Sequence, residues 1–372
     1  MLRVYYGYEF VYDEMIEDFE LVQADVAEDV AENSQYWCND HAFQLGVRMM
    51  RGHLPPGDAG RPLSNMADAA ITVLARTVLE DFVSWRGPIA GDGIAVVALG
   101  RLGERRMNFE AEVELIFLSD DASVSKGDNF VLDDRADEFC KRFNKFAERM
   151  STGNLLLKSA RARLPTDGAG NVTGTLARFA NGRRDPDADF LREVASGRIV
   201  CASGDRAERL TERFEEARRS IFRRHSADTA DSLRSPPPSD PGGERSLRAI
   251  LNGPGGLDDL ELAVLRMRLR HIESHPDIVF ESGSAPFLKK AGEHGILESQ
   301  SAGELVEAAN FLLGLECILS LTNDGKPDEA QWEDPVKATV ARACDAEEFG
   351  HVVAKAKEAT ARIAAHLGTP TA

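Results

Sequence analysis

The chain has 372 residues, 43% of them hydrophobic and 28% charged, with a formal charge of −18; two or three packed units are the expectation for that length. Such a charge repels phosphate backbones, which argues against a nucleic-acid partner, and no run is read as reaching the eighteen or so apolar residues that span a bilayer, so no membrane partner is expected. The five cysteines, Cys38, Cys140, Cys201, Cys317 and Cys344, lie far apart without a CxxC pair, which fits buried thiols in a reducing cytoplasm and not a zinc knuckle.

From Met1 the chain reaches Glu9 before any long apolar core develops, so no signal peptide is expected. Residues 1–90 read as helical. Glu14 to Val30, His41 to Met50 and Ser64 to Trp85 carry apolar residues at helical spacing, and Ser64 is a candidate N-cap. The periodicity then changes: Ile94 to Leu99 is a short apolar run and Val113 to Leu118 is rich in β-branched and aromatic residues, so both are predicted strands. Asp133 to Met150 returns to helical spacing, Leu155 to Leu164 is a further candidate strand, and Asp167-Gly-Ala-Gly-Asn is a turn signal. A mixed α/β unit is therefore expected over 91–224. Residues 225–245, rich in Ser, Asp, Pro and Gly, hold too few apolar side chains to offset ordering and are expected to form a mobile loop. Beyond it, Leu257 to His271, Ala285 to His294, Ala302 to Leu321 and Ala346 to Leu367 read as the helices of a bundle over 246–372.

Chemistry concentrates between the two predicted strands. Residues i and i+2 of a strand point to the same side, so Glu112 and Glu114 share a face opposite Val113. Two carboxylates so placed are what a two-metal displacement at phosphorus requires. The preceding Gly100-Arg101-Leu102-Gly103 turn offers backbone amides and a cation to a phosphate. A solvated strand face and a plain tight turn explain the same residues, and no Gly-x-Gly-x-x-Gly fingerprint supports a dinucleotide fold. His271, His275 and His294 lack metal-ligand spacing.

In sum the text Leu99-Gly-Arg-Leu-Gly-Glu-Arg-Arg-Met-Asn-Phe-Glu-Ala-Glu-Val-Glu-Leu-Ile-Phe-Leu118 resembles, without a gap, the Leu-Gly-Lys-Leu-Gly-Gly-Arg-Glu-Leu-Asn-Tyr-Gly-Ser-Asp-Ile-Asp-Leu-Ile-Phe-Leu of the glutamine synthetase adenylyltransferase family. Gly253-Pro-Gly-Gly-Leu-Asp-Asp-Leu-Glu261 is similar to that family's Gly-Pro-Gly-Gly-Ile-Arg-Asp-Ile-Glu. Weaker echoes lie at Leu63 to Ala69, Arg198 to Asp205 and Phe311 to Ser320. The likeness covers residues 40 to 366, one half of the usual tandem protein.

The resemblance implies an α+β fold: a nucleotidyltransferase-type (polymerase-beta-like) α/β domain with a helical amino-terminal layer and a carboxy-terminal helical bundle. It implies Mg2+ or Mn2+ at Glu112 and Glu114, ATP near Gly100, Arg101, Gly103 and Asn108, and glutamine synthetase and a PII-type signal protein as partners. The chain departs from the family where the chemistry lies. Glu112 and Glu114 stand for aspartates, Ala111 for serine, and Glu104 and Glu110 for glycines. The third aspartate is replaced by Ser159 or, in another register, by Arg161. An added methylene moves a carboxylate by about 1 Å, a misplacement that can cost ~10²-fold in rate; Glu104 and Glu110 would each oppose a triphosphate by about 1 kcal/mol. Metal and ATP binding is thus expected to be weak or absent. Two readings follow: an adenylyltransferase-like protein of nitrogen-metabolism regulation with impaired or lost catalysis, or a non-catalytic binding module that retains only the fold. The Gly253 to Gly256 motif is read as a helix-entry and docking device.

Overall fold

The computed structural model of the chain describes residues 11–20, 26–88, 93–119, 134–163, 176, 179, 188–203, 207–225, 230, 233, 246–322 and 329–367, without the side chains at 134, 136, 137, 158, 159, 161–163 and 330. The Asp167 turn and most of the expected loop over 225–245 lie outside the described residues.

The fold is α+β, mostly helical with one small sheet. Three helices come first: α1 (Tyr12–Glu20), α2 (Ala27–Met50) and α3 (Gly60–Arg86). The expected Ser64 cap is not the start of α3, which begins at Gly60 with Ala59 at its N-cap. Ser64 instead lies inside the helix, donating to the Gly60 carbonyl at 2.7 Å and accepting from the Met107 amide at 3.3 Å. A serine that can bond back to the preceding turn is tolerated inside a helix, so it does not mark an end.

The sheet has four strands, β1 (Ile94–Ala98), β2 (Glu112–Ser119), β3 (Lys158–Arg163) and β4 (Arg198–Ser203), in the order β3-β2-β1-β4. β1 runs antiparallel to both β2 and β4, and β3 lies parallel to β2. Between the strands come the one-turn helix α4 (Gly100–Gly103), α5 (Asp134–Ser151) and α6 (Ala188–Ser196); α7 (Ala207–Arg224) follows β4. Alternation divides the sheet's two faces. Val113, Leu115 and Phe117 join the core shared with α1 to α3, α5 and the later helices, where Phe117 meets Phe139 and Phe143 edge-on at 5.2 Å each. Ile116 and Leu118 join a second core with α6 and α7. Glu112 and Glu114 share that second face at the end of β2 left uncovered, so they are exposed while Ile116 and Leu118 are buried.

The last third is helical: α8 (Leu247–Leu251), α9 (Leu257–His271), α10 (Ser284–Glu293), α11 (Ser299–Thr322), α12 (Asp334–Ala343) and α13 (Phe349–Leu367). α11 corrects one expectation, because it is long and apolar enough to cross a membrane by length and composition. Its Leu305, Ala309, Leu312, Leu315 and Ile318 side chains are instead packed in the main core, as a central bundle helix requires.

Candidate functional site

Motifs distant in sequence converge on the α4 turn. Gly100 adopts φ +54 and its amide donates to Ser196 Oγ at 3.0 Å. At Gly103 an added Cβ would lie 2.2 Å from the Ser196 carbonyl oxygen, so the close approach of α6 demands glycine. Arg198, at the start of β4, donates to the Leu102 carbonyl at 3.0 Å and to Asp68 of α3 at 2.9 Å. Asp68 is 1% exposed and lies 3.7 Å from Arg105 as well. Burial pushes its carboxyl above the ordinary value, against the pull of Arg198. The weak sequence echoes at Leu63 to Ala69 and at Arg198 thus clamp this turn from two sides.

The carboxy-terminal helices hold the other side through ion pairs. Arg101 makes a two-pronged pair with Glu316 of α11, and Arg106 lies between Glu104 and Glu261 of α9. Burial alone would push the Arg106 guanidinium down, but Glu104 and Glu261 outweigh it and hold its pKa above the ordinary arginine value. Burial likewise opposes ionisation of Glu104, yet Arg106 and Arg268 keep its carboxyl below the usual range. Glu261, desolvated and facing Glu104, is raised, so it takes up a proton first as the cluster is acidified. Sequence reasoning set Glu104 against an incoming phosphate; in the fold it is a charge already neutralised by the protein. Arg106, Arg268 and Glu316 were not singled out, and the one available signal was that Arg106 falls where the family text has a glutamate.

Glu316 gives a pH dependence. Burial would raise its carboxyl, but the hydrogen bonds and charge of Arg101 prevail and lower it below the ordinary glutamate value. A group lowered in the folded state stabilises above its unfolded pKa and loses that contribution as pH falls through the folded one. Stability measured by denaturant melts is therefore expected to decline below about pH 4.5, and Arg101→Gln to flatten that decline; an unchanged acid limb in the variant would refute the assignment.

Glu112 and Glu114 do lie on one face, but they line different openings. Glu114 borders a cleft of about 280 Å³ with Gly100, Glu104, Arg106, Glu261 and Arg268. Glu112 borders a second opening, of about 310 Å³, with Arg101, Asn108, Glu110 and Arg248. Glu110 is paired with Arg248 at 2.9 Å. Asn108 is buried and accepts the Glu110 amide at 3.0 Å. Ser159 lies in β3 by its backbone, its side chain being outside those described. The register sets Lys158 opposite Glu112 and Arg161 opposite Glu114, so the positions facing the two glutamates carry basic residues where a two-ion site needs a further acid. Among the described residues no group of three His, Cys, Asp or Glu is placed to hold a metal, and this donor set does not fit the metal pair that the resemblance implies.

The three histidines come closer than their spacing suggested: the His271 and His275 rings stand 5.9 Å apart and His275 and His294 5.7 Å. At the Gly253 to Gly256 turn, the Gly255 amide donates to Asp259 Oδ2 at 2.8 Å, and Gly256 is the N-cap of α9.

Residues 12–152 match the family model for glutamate-ammonia ligase adenylyltransferase, and residues 248–368 match that for the GlnD PII-uridylyltransferase. Similar relatives are each named bifunctional glutamine synthetase adenylyltransferase/adenylyl-removing enzyme. The one from Bradyrhizobium sp. strain ORS 278 is 27% identical over 86% of this chain and 33% of its own length. That from Bradyrhizobium diazoefficiens is 26% identical over 86% and 33%, and that from Bradyrhizobium sp. strain BTAi1 is 27% identical over 92% and 35%. The chain thus spans about a third of the length of the curated relatives it matches.

Proposed function

Because the chain is a homologue of the glutamine synthetase adenylyltransferases over most of its own length, we propose that it is an adenylyltransferase-like protein whose catalytic step is weakened or lost, acting in nitrogen-metabolism regulation in the cytoplasm. The observation that carries this is the β2–β3 register, which pairs Glu112 and Glu114 with Lys158 and Arg161 in place of an acid. In this reading residues 91–224 are the nucleotidyltransferase-type domain between a helical layer over 1–90 and a bundle over 246–372. Any remaining chemistry belongs to Glu112, Glu114 and Ser159, with Gly100, Arg101, Gly103 and Asn108 toward the nucleotide, and with Mg2+ or Mn2+ and ATP held weakly or not at all. Glutamine synthetase and a PII-type signal protein are the proposed partners. A second reading, a non-catalytic binding module, is favoured by the commitment of Arg101, Glu104 and Arg106 to internal ion pairs.

Incubation with labelled ATP, Mn2+ and glutamine synthetase separates the two from full activity. Transfer and removal of label are expected at least ~10²-fold below those of an active relative, and Glu112→Gln should reduce further any Mn2+-dependent thermal shift that ATP induces. Turnover within a factor of a few of the active relative would defeat both readings. Residual turnover abolished by Glu114→Gln would select the first.

A further inference from the structure

A cavity of about 420 Å³ opens between the start of α3, the turn after α4, the segment before α10 and α11. It is separate from the cleft that holds Glu114, and the Glu104–Arg106 pair stands between the two, lining both. Its volume falls within the roughly 300–1,000 Å³ of small-molecule sites. Three arginines line it: Arg61, Arg105 and Arg106. Three acids, Asp58, Glu104 and Glu316, line it too, so its charge is balanced within a chain of charge −18. Arg105 donates to Asn65 Oδ1 at 2.9 Å, while Arg61 and Arg106 keep donors without an acceptor among the described residues.

Arg106 Nη1 is buried and has no hydrogen-bond partner among the described residues, an uncommon state for a buried guanidinium donor. Arg61 is exposed and, among the described residues, makes no hydrogen bond or ion pair. Arg105 sits at φ +55, a left-handed conformation that non-glycine residues adopt at a cost and that clusters at ligand sites. Burial pushes the Arg105 pKa down, and the neighbouring Arg198 and Arg61 charges push it further, against Asp68. Of the acids that line the cavity, Glu104 and Glu316 are committed to Arg106 and Arg101, and among the described residues Asp58 makes no ion pair. Met107 and Leu313 supply an apolar wall.

We propose that this cavity binds a small organic molecule through a carboxylate or phosphate group, held by Arg61, Arg105 and Arg106 with its apolar body against Met107 and Leu313. A planar guanidinium is suited to both oxyanions. The site uses neither Glu112 nor Glu114, so it stands whether or not nucleotidyl transfer survives.

Calorimetric titration of the full chain in EDTA with benzoate, phenyl phosphate and, as the uncharged control, phenol tests it. One or both oxyanions should bind saturably while phenol does not, and their relative affinities say which head group is preferred. Arg61→Ala should weaken binding about tenfold, as expected for one charged hydrogen bond, with Arg61→Lys recovering part of it. Asp189→Asn, in the other cleft, should leave it unchanged. Failure of both oxyanions to bind, equal binding of phenol, or an Arg61→Ala protein that binds as well as the parent would each overturn the proposal.

Discussion

Arg106→Met is expected to destabilise the fold by about 3–5 kcal/mol, the usual cost of removing one partner from a buried ion cluster. The methionine fills similar volume, so lost packing is a minor part. The larger part is electrostatic: Glu104 and Glu261 would face each other in a desolvated cluster without the cation between them. One carboxylate would then hold its proton to a higher pH than in the parent, and the melting midpoint should depend more steeply on pH than that of the parent. Adding Glu104→Gln to Arg106→Met removes one of the two charges and should return a good part of the loss. Urea melts of the parent, single and double variants give the coupling directly. A single-variant loss below about 1 kcal/mol, the range of an exposed pair, would show that the cluster does not tie α9 to the α4 turn.

How legible this site was depends on the scale of the interaction. Strands β1 and β2 were readable because their burial is a local pattern: five consecutive buried residues in one, and alternation that fails at Ile116 in the other. The shared face of Glu112 and Glu114 followed from the same period of two. Whether they act together did not, since that depends on β3, whose register sets Arg161 and not Ser159 opposite Glu114. Glu104 was misread for the same reason. Its neutralisation comes from Arg106 two residues on and from Arg268 of α9, and only the fold brings the second within range. The three histidines illustrate the limit from the other side: a helix end, a turn and a second helix end assemble them, with no repeat in the sequence to announce it. Ser64 was taken for a helix boundary because serine favours caps, yet its hydroxyl is occupied by the Gly60 carbonyl and the Met107 amide.

Gly255→Ala is the other substitution with a large expected effect, and a matched control exists within the chain. Gly255 and Gly295 have nearly the same backbone, φ +73 and φ +71. A side chain in that conformation costs roughly 1–2 kcal/mol at either place. Their surroundings differ entirely: a Cβ on Gly295 meets nothing within 4 Å, whereas on Gly255 it would lie 2.2 Å from the Thr360 carbonyl oxygen of α13. Relief requires the turn before α9 to move away from α13, which breaks close packing worth a further 1–3 kcal/mol or so. That movement also pulls the Gly255 amide from Asp259 Oδ2. Gly295→Ala should therefore lower stability by about 1–2 kcal/mol and Gly255→Ala by roughly 2–5 kcal/mol, measured in the same denaturant series. The difference isolates docking from backbone strain. Because α9 carries Glu261 and Arg268, displacement of its first turn should also loosen the Arg106 cluster, and Gly255→Ala combined with Arg106→Met should lose less than the sum of the two. Equal losses for the two glycine variants would mean that Gly255 serves the turn's conformation alone and does not fasten α9 to α13.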